Sequence, residues 1–244
     1  MLSKNQIKLI KSLAQKKYRQ QLGLFIVEGI KGINEFLNSD VELHALYTTE
    51  AIFRTSSEAV FTISETDLKK ISTLKNPNTA LAIFKIPESK PIKEQALIVA
   101  LDAIRDPGNL GTIIRLCDWY GVNDLVCSTS TVDCFNSKVV QATMGSLTRV
   151  NVSYLDLNAF ISKYNAAVFG TYMDGESIYS AQLPDNGILI LGNEANGISE
   201  GITKLVNQRL TIPQFGEQNK TESLNVATAT AIALSEFRRR SIEK

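Results

Sequence analysis

The chain has 244 residues, enough for one large or two ordinary domains with a sizeable hydrophobic core. Hydrophobic residues make up 44 % of it, which fits a soluble globular protein. The formal net charge is +1, which argues neither for nor against an acidic binding partner. No apolar run approaches the roughly 20 residues of a membrane span, and Met1–Gln6 lacks the apolar core of a signal peptide, so we expect a cytoplasmic protein.

The cysteines and the histidine limit the chemistry that the chain can perform. Cys117, Cys127 and Cys134 are odd in number, form no C-x-x-C pair and lie in or beside apolar stretches, so we expect reduced packing thiols. His44 is the only histidine and lies in a predicted strand, which argues against a Ser-His-Asp or Cys-His arrangement and against a zinc site. We expect His44 to be structural and predict no metal.

The first 90 residues predict a small α/β domain. Residues 1 to about 20 predict one basic amphipathic helix. The elements that follow are a strand at 25–29, a helix at 30–37, strands at 43–48 and 60–63, a helix capped by Ser64 or Thr66, and a last strand at 80–84. Residues 87–91, with a proline at each end, are typical of a linker.

Basic residues cluster at the two ends of the chain. The predicted first helix carries Lys4, Lys8, Lys11, Lys16, Lys17 and Arg19, and Arg238, Arg239 and Arg240 end the last helix. For either cluster alone the sequence favours a solvated helix face over a contact with an acidic partner, and the arginines also suit the negative end of a helix dipole. Contact with an acidic partner is the alternative for both clusters.

Residues 94–244 predict a second α/β domain with a mostly parallel sheet, because strands and helices alternate. The predicted strands lie near 97–103, 124–128, 149–152, 167–171, 187–191 and 209–212. The predicted helices lie at 111–120, 135–142, 157–164, 198–206 and 223–240.

Three loops in this domain each follow an apolar strand, at 106–111, 192–197 and 212–214, the last leading to 222–226. Ligands of open α/β sheets collect at the carboxyl ends of strands, so the loops predict one shared crevice. The spacing matches neither the dinucleotide fingerprint nor the P-loop, which would need a lysine. The candidate polar groups are Asn109, Arg115, Glu194, Ser223 and Asn225. Helix capping by the two asparagines and a surface pair for Arg115 are the alternatives.

These loops resemble the three ordered motifs of the SpoU (TrmH-like) branch of SPOUT RNA 2′-O-ribose methyltransferases. The likeness is carried by residues 106–115, 189–198, and 212–214 with 223–227, and Met144–Leu147 between the first two motifs is also similar. Residues 1–90 resemble, less specifically, the small RNA-binding α/β domain often fused ahead of this family, notably at 25–29.

The resemblance implies a SPOUT fold with a deep trefoil knot near the C-terminus, S-adenosylmethionine as cofactor, and a homodimer with the site near the subunit interface. It also implies cofactor contacts at Gly170, Leu191, Gly192, Gly197, Ile212, Gln214 and Leu224. Ribosomal or transfer RNA is the implied substrate, contacted through Lys8, Lys11, Lys16 and Arg115.

The catalytic residues implied by the resemblance are Asn109, Arg115, Glu194, Ser223 and Asn225. The family proposal that this arginine is a general base conflicts with a guanidinium that stays protonated. A protonated Arg115 that grips phosphate and stabilises the developing alkoxide is the alternative, with Glu194 positioning Arg115 or Asn109. The sequence does not decide between these roles.

Two departures from the family pattern affect the interpretation. Leu116–Gly121 is bulkier than usual, so local helix packing is expected to differ, and residues 215–220 lengthen the third loop into a candidate lid. A non-catalytic RNA-binding relative and a metabolic enzyme with a small substrate are the competing functions. The RNA, the nucleotide and the choice between ribose and base stay open.

Overall fold

The computed structural model describes residues 2–55, 58–216 and 223–242. The chain forms two compact units, Met1–Glu88 with Asp133–Thr148 and Ser89–Val132 with Arg149–Lys244. The strands are β1 (Leu24–Glu28), β2 (Leu43–Thr48), β3 (Val60–Thr62), β4 (Ala80–Lys85), β5 (Leu97–Leu101), β6 (Asp124–Ser128), β7 (Asn151–Leu155), β8 (Val168–Ser177), β9 (Gly187–Leu191) and β10 (Gln208–Thr211). The helices are α1 (Lys4–Ser12), α2 (Lys16–Leu22), α3 (Ile30–Leu37), α4 (Glu65–Ile71), α5 (Pro107–Trp119), α6 (Ser137–Thr143), α7 (Leu157–Ile161), α8 (Glu200–Thr203) and α9 (Val226–Ile242).

The first unit is built on a four-stranded sheet in the order β1-β4-β2-β3. Strand β4 is antiparallel to both β1 and β2, while β3 is parallel to β2. The strands predicted in this unit are all present, and His44 lies exposed on β2. On one face of the sheet, Ile10, Leu13 and Leu68 from the helices join the apolar core.

The prediction of one continuous N-terminal helix is wrong, because the chain breaks after α1 and starts again at α2. The break leaves the carbonyls of Leu13 and Ala14 without helical partners. Arg19 satisfies both, since its Nη1 donates to Leu13 O at 2.8 Å and to Ala14 O at 3.0 Å. Arg19 is therefore a buried structural residue and does not belong to the basic surface on which it was placed.

Asp133–Thr148 packs with the first unit, although the expected boundary assigned it to the second domain. Asp133 Oδ2 lies 2.5 Å from Arg19 Nη2, and the Phe135 ring lies 4.8 Å from that of Phe25 on β1. A buried charge pair and an aromatic contact therefore hold the segment. Both depend on residues more than a hundred positions apart, which a local pattern does not reveal.

The second unit has a six-stranded sheet in the order β10-β8-β9-β5-β6-β7, and each neighbouring pair is parallel. This confirms the predicted α/β fold with a mostly parallel sheet. Helix α5 begins before the predicted position because Asp106 caps it through Asn109 N at 2.8 Å and Pro107 suits its first turn. Helix α9 packs against α5.

The C-terminal arginines serve different purposes. Arg238 Nε donates to Tyr120 O at 2.6 Å, so it caps the end of α5 and not that of its own helix. Arg239 pairs with Glu236 one turn earlier in α9. The side chain of Arg240 lies outside the described residues.

All three cysteines are buried, and none of them forms a disulfide. Burial raises the pKa of the Cys117 thiol to about 12, so the thiol stays protonated at neutral pH and is a poor nucleophile. Within the described ranges, no helix is long and apolar enough to span a membrane.

We expect Asp133→Ala to destabilise the first unit by about 3 to 5 kcal/mol, because it leaves the Arg19 guanidinium buried without its carboxylate. The Arg19 and Asp133 side chains are only 3 % and 12 % exposed. Hydrogen exchange of the β1 amides measures the change, and Asp40→Ala, at an exposed position of the same unit, is the control. Equal protection in the two variants would contradict a stabilising role for the pair.

Candidate functional site

A cavity of about 830 Å³ lies at the carboxyl edge of the second sheet, where β8, β9 and β10 end. The second and third predicted motifs line it, and the first is joined to it through the hydrogen bond from Asn109 to Glu194. Six of the seven predicted cofactor residues line it, namely Leu191, Gly192, Gly197, Ile212, Gln214 and Leu224. Its size lies within the roughly 300 to 1,000 Å³ of sites that enclose a small molecule.

The loop after β9 is closed tightly on itself. Asn193 and Gly197 exchange two backbone hydrogen bonds, of 3.0 and 2.8 Å, and Gly197 has a φ of +67°. A Cβ at Gly192 would lie 2.2 Å from the Gly197 carbonyl carbon, so only glycine allows this closure. The Asn193 side chain then ties the loop to the segment between β5 and the first motif, because Nδ2 donates to Ala103 O at 2.8 Å. The result is a fixed position for Glu194.

Gly170 is the predicted cofactor residue that the structure does not place on the cavity wall. It is buried in β8, where a Cβ would lie 2.5 Å from the Tyr172 ring. Its smallness lets Tyr172 turn onto the wall. A direct contact between Gly170 and the cofactor stays a prediction.

The outer wall of the cavity is an irregular part of β8 that sequence reasoning missed. The register of β8 against β10 shifts between Arg209 and Leu210, so Thr171–Gly175 bulges out of the pairing and places Tyr172 and Asp174 on the wall. Gly175 in the sequence was the signal for a close backbone approach, because a Cβ there would lie 2.6 Å from Arg209 O.

Arg209 holds this wall. Its guanidinium lies 3.6 Å from the centre of the Tyr172 ring, and its Nη2 lies 2.5 Å from Asp174 Oδ1. The Tyr172 hydroxyl in turn donates to Thr203 Oγ1 at 3.0 Å. The hydrogen bond from Arg209 lowers the pKa of Asp174, so this carboxylate stays ionised on the wall at neutral pH.

Three of the predicted catalytic residues form one hydrogen-bonded network at the cavity. Asn225 Nδ2 donates to Asn109 Oδ1 at 2.9 Å, and Asn109 Nδ2 donates to Glu194 Oε1 at 2.6 Å. Asn225 Oδ1 accepts from the first amides of α9, those of Ala227 and Thr228. Because the α9 amides only donate, this fixes the orientation of both asparagine side chains and makes Glu194 the terminal acceptor. Asn225 therefore both caps α9 and belongs to the network.

The other two predicted catalytic residues do not join the network. Ser223 lines the cavity just before α9. Arg115 is exposed on α5 and forms no hydrogen bond or ion pair with any residue that the structure describes. It lies six residues after Asn109, which in an α-helix is about 9 Å along the axis and about 120° around it.

The predicted lid lies only partly in the described structure. Phe215 and Gly216 line the cavity, and Phe215 is 84 % exposed. Residues 217–220 lie outside the described residues, so closure of this loop stays a prediction.

The lysines predicted to contact RNA lie in the first unit. Lys8 and Lys11 are exposed on α1, and Lys16 is exposed on α2. Among the described residues, no group of three or more histidine, cysteine or acidic side chains is arranged to hold a metal ion. The RNA-binding role of the lysines stays a prediction.

A parallel sheet with a ligand-sized cavity at its carboxyl edge and a fixed carboxylate at that cavity defines an α/β protein built around a small-molecule site. Comparison with known proteins gives its family. Residues 96–235 match the SpoU rRNA methylase family, and residues 4–82 match the MRM3-like substrate binding domain. The chain belongs to the SpoU family, as its three loops predicted.

Similar proteins span nearly the whole chain. The 23S rRNA (guanosine(2553)-2′-O)-methyltransferase RlmP of Bacillus subtilis is 30 % identical over 97 % of each chain. A structure from Porphyromonas gingivalis, assigned to the TrmH family of RNA methyltransferases, has a TM-score of 0.90 and 41 % identity, covering 98 % of this chain and 99 % of that one. An S-adenosylmethionine-bound rRNA methyltransferase from Sinorhizobium meliloti has a TM-score of 0.87 and 30 % identity, covering 98 % and 96 %.

We expect Arg209→Ala to weaken S-adenosylmethionine binding about tenfold, because Tyr172 loses its stacked cation and Asp174 its partner. Isothermal titration calorimetry of the cofactor measures the change. Arg209→Lys keeps the charge but not the planar stacking group, so its affinity for S-adenosylmethionine should lie between those of the wild type and Arg209→Ala. Lys204→Ala removes a cation from an exposed pair with Glu200 in the same unit and is the control. An affinity for Arg209→Ala equal to that of the control would remove Arg209 from the site.

Proposed function

We propose that this protein transfers the methyl group of S-adenosylmethionine to a ribose 2′-hydroxyl of ribosomal RNA. The observation that carries the proposal is the position of Glu194, which lines the cavity and also ends the asparagine network. A ligand in the cavity and a hydroxyl held at Glu194 would therefore be neighbours. A cytoplasmic location accords with such a substrate.

The family and the relatives support this function. Membership of the SpoU family and the names of the relatives confirm the predicted enzyme class, an RNA 2′-O-methyltransferase, and the predicted cofactor. RlmP is named for a guanosine of 23S ribosomal RNA, which favours ribosomal over transfer RNA for this chain. The particular nucleotide is not part of the proposal.

The cavity residues fit the cofactor. The wall combines apolar side chains such as Leu191 and Ile212 with polar groups of the three loops, which suits an adenosine flanked by charged groups. Two carboxylates, Asp174 and Glu194, also line it and favour a cationic ligand. When bound, S-adenosylmethionine supplies a methyl group on a positively charged sulfur.

The network residues would position the acceptor. Glu194 Oε1 is occupied by Asn109, whereas Oε2 accepts no hydrogen bond from the residues that the structure describes. We assign Oε2 the task of accepting a hydrogen bond from the 2′-hydroxyl, which turns the oxygen lone pair toward the cavity. Asn109 and Asn225 keep the carboxylate from rotating, so they are positioning residues.

Arg115 would act as a protonated group, because a guanidinium does not lose its proton under ordinary conditions. We assign it to the phosphate beside the target ribose and to stabilisation of the developing negative charge. Since Arg115 lies outside the network of its own chain, a homodimer with the site near the subunit interface accords with this role.

Two further parts of the proposal concern architecture. We propose that the C-terminal segment forms a deep trefoil knot, supported by the course of the chain from β10 at one edge of the sheet to α9, which packs on α5. We also propose that residues 1–90 bind RNA and 94–244 carry catalysis. The match of residues 4–82 to a substrate binding domain and the exposed lysines of α1 and α2 support this division.

We expect Asn225→Asp to lower kcat at least tenfold while leaving the fold intact. The aspartate still accepts from the α9 amides but cannot donate to Asn109, so Glu194 loses its fixed orientation. Methyl transfer at saturating cofactor and RNA measures the effect, and thermal unfolding checks that the cap is kept. Asn225→Ala is the comparison, since it removes both interactions. Full activity in Asn225→Asp would exclude a role for the network.

The function itself is tested by transfer of labelled methyl from S-adenosylmethionine to ribosomal RNA that lacks its modifications. We expect the label in a 2′-O-methyl nucleoside after digestion, and loss of transfer by more than about 10²-fold in Arg115→Ala with cofactor affinity nearly unchanged. Label on a base would overturn the acceptor. Cofactor binding lost in Arg115→Ala would instead place Arg115 at the cavity.

A further inference from the structure

A second cavity, a groove of about 340 Å³, lies wholly within the first unit. Its walls come from the turn between β1 and α3, from Asn78 before β4, and from α6 with Met144, the residue that follows this helix. It is lined by Val27–Gly32, Asn78, Val140, Gln141 and Met144. None of these residues has a role in the methyl-transfer site described above.

Left-handed backbone conformations are concentrated around this groove. Gly29 has a φ of +88°, and Met144 has a φ of +52° although it is not a glycine. Thr79, beside Asn78, has a φ of +59°. A left-handed conformation costs a non-glycine residue about 1 to 3 kcal/mol and persists only where the surrounding structure fixes it. The backbone around the groove is therefore conformationally constrained.

The groove combines an apolar wall with two exposed side-chain amides that have hydrogen-bonding groups available to a ligand. Val27, Ile30, Val140 and Met144 provide the wall, and Met144 is 40 % exposed. Asn78 Oδ1 accepts the Thr79 hydroxyl at 3.0 Å, which leaves Asn78 Nδ2 as a donor. The exposed Gln141 side chain forms no hydrogen bond with any described residue, so it offers both a donor and an acceptor.

The groove carries one acidic and one basic side chain, Glu28 and Lys31. The carboxylate of Glu28 accepts from the Ser72 hydroxyl and from both the amide and the hydroxyl of Thr73, with the amide at 2.9 Å, so it is already satisfied. Lys31 is exposed and has no carboxylate partner in the described ranges. An anionic group at the groove would therefore meet an available ammonium.

We propose that this groove binds one unpaired nucleotide of the RNA substrate. The base would lie on the apolar wall with its edge toward Asn78 and Gln141, and the phosphate would contact Lys31. Proteins that read RNA sequence mostly bind unstacked bases by such contacts, and the volume suits a single nucleotide and not a duplex. The proposal rests on the proposed function, because it takes RNA as the substrate.

The test uses the full-length protein and an unmodified 23S ribosomal RNA transcript, with the dissociation constant measured at several salt concentrations. We expect Lys31→Met to weaken binding about tenfold and to reduce the slope of log K against log salt by about 1, because one phosphate contact is lost. Gln141→Leu should weaken binding about fivefold without changing the slope, since it removes uncharged hydrogen bonds. Lys69→Met, an exposed position on α4 outside the groove, is the charge-matched control.

Two further readouts separate this proposal from the proposed function. S-adenosylmethionine affinity should stay the same in all variants, because the groove lies in the other unit. Photo-crosslinking with 4-thiouridine in the transcript should label a peptide that contains Gln141 and Met144. Wild-type binding in Lys31→Met and Gln141→Leu, with methyl transfer intact, would overturn the groove and leave the function standing. A wild-type protein that neither binds nor methylates the transcript would overturn both.

Discussion

Two helix N-termini meet at the pair of asparagine side chains that holds Glu194, and the rest of the site depends on this junction. Asp106 caps α5 and Asn225 caps α9, while the hydrogen bond between Asn109 and Asn225 joins the two helix starts. The start of α9 is therefore connected to the Glu194 carboxylate through the side chains of Asn225 and Asn109. Glu194 is thus held through one oxygen by a neutral amide, which keeps its second oxygen available for a substrate.

The cavity beside this junction depends on backbone more than on side chains. Gly192 permits the loop after β9 to touch itself, and Gly170 and Gly175 permit β8 to bulge between its paired ends. Each is a position where a Cβ would come within 2.6 Å of a neighbouring atom. The polar wall residues then need one external support, which Arg209 provides. A site of this kind tolerates few substitutions at these glycines, because its shape depends on close approaches of the backbone to neighbouring atoms.

The sequence predicted the parts of the fold and site that are encoded locally. Residues 30–37 and 43–48 had clear periodicity and form the predicted helix and strand, and the three loops carried a family pattern. Contacts between distant residues were missed. The sequence grouped Arg19 with five lysines as surface cations, whereas in the structure it is buried and paired with Asp133. Nothing in the sequence around Arg209 indicated that it would stack on Tyr172. Local patterns specify what a segment tends to become, and only the tertiary structure specifies its partner.

The separation of Arg115 from the network has a consequence for how the reaction is controlled. Glu194, Asn109 and Asn225 are connected in a single chain, but Arg115 lies on a different side of α5 and about 9 Å further along it. In the proposed mechanism the Glu194 carboxylate, which orients the hydroxyl, is thus already in position. Arg115, which stabilises the developing charge, joins it only when RNA binds or when a second subunit supplies the residue. Only interactions that are stronger in the transition state than before it accelerate a reaction. A cation recruited with the substrate meets this condition, because it adds little to the site until the target ribose is in place.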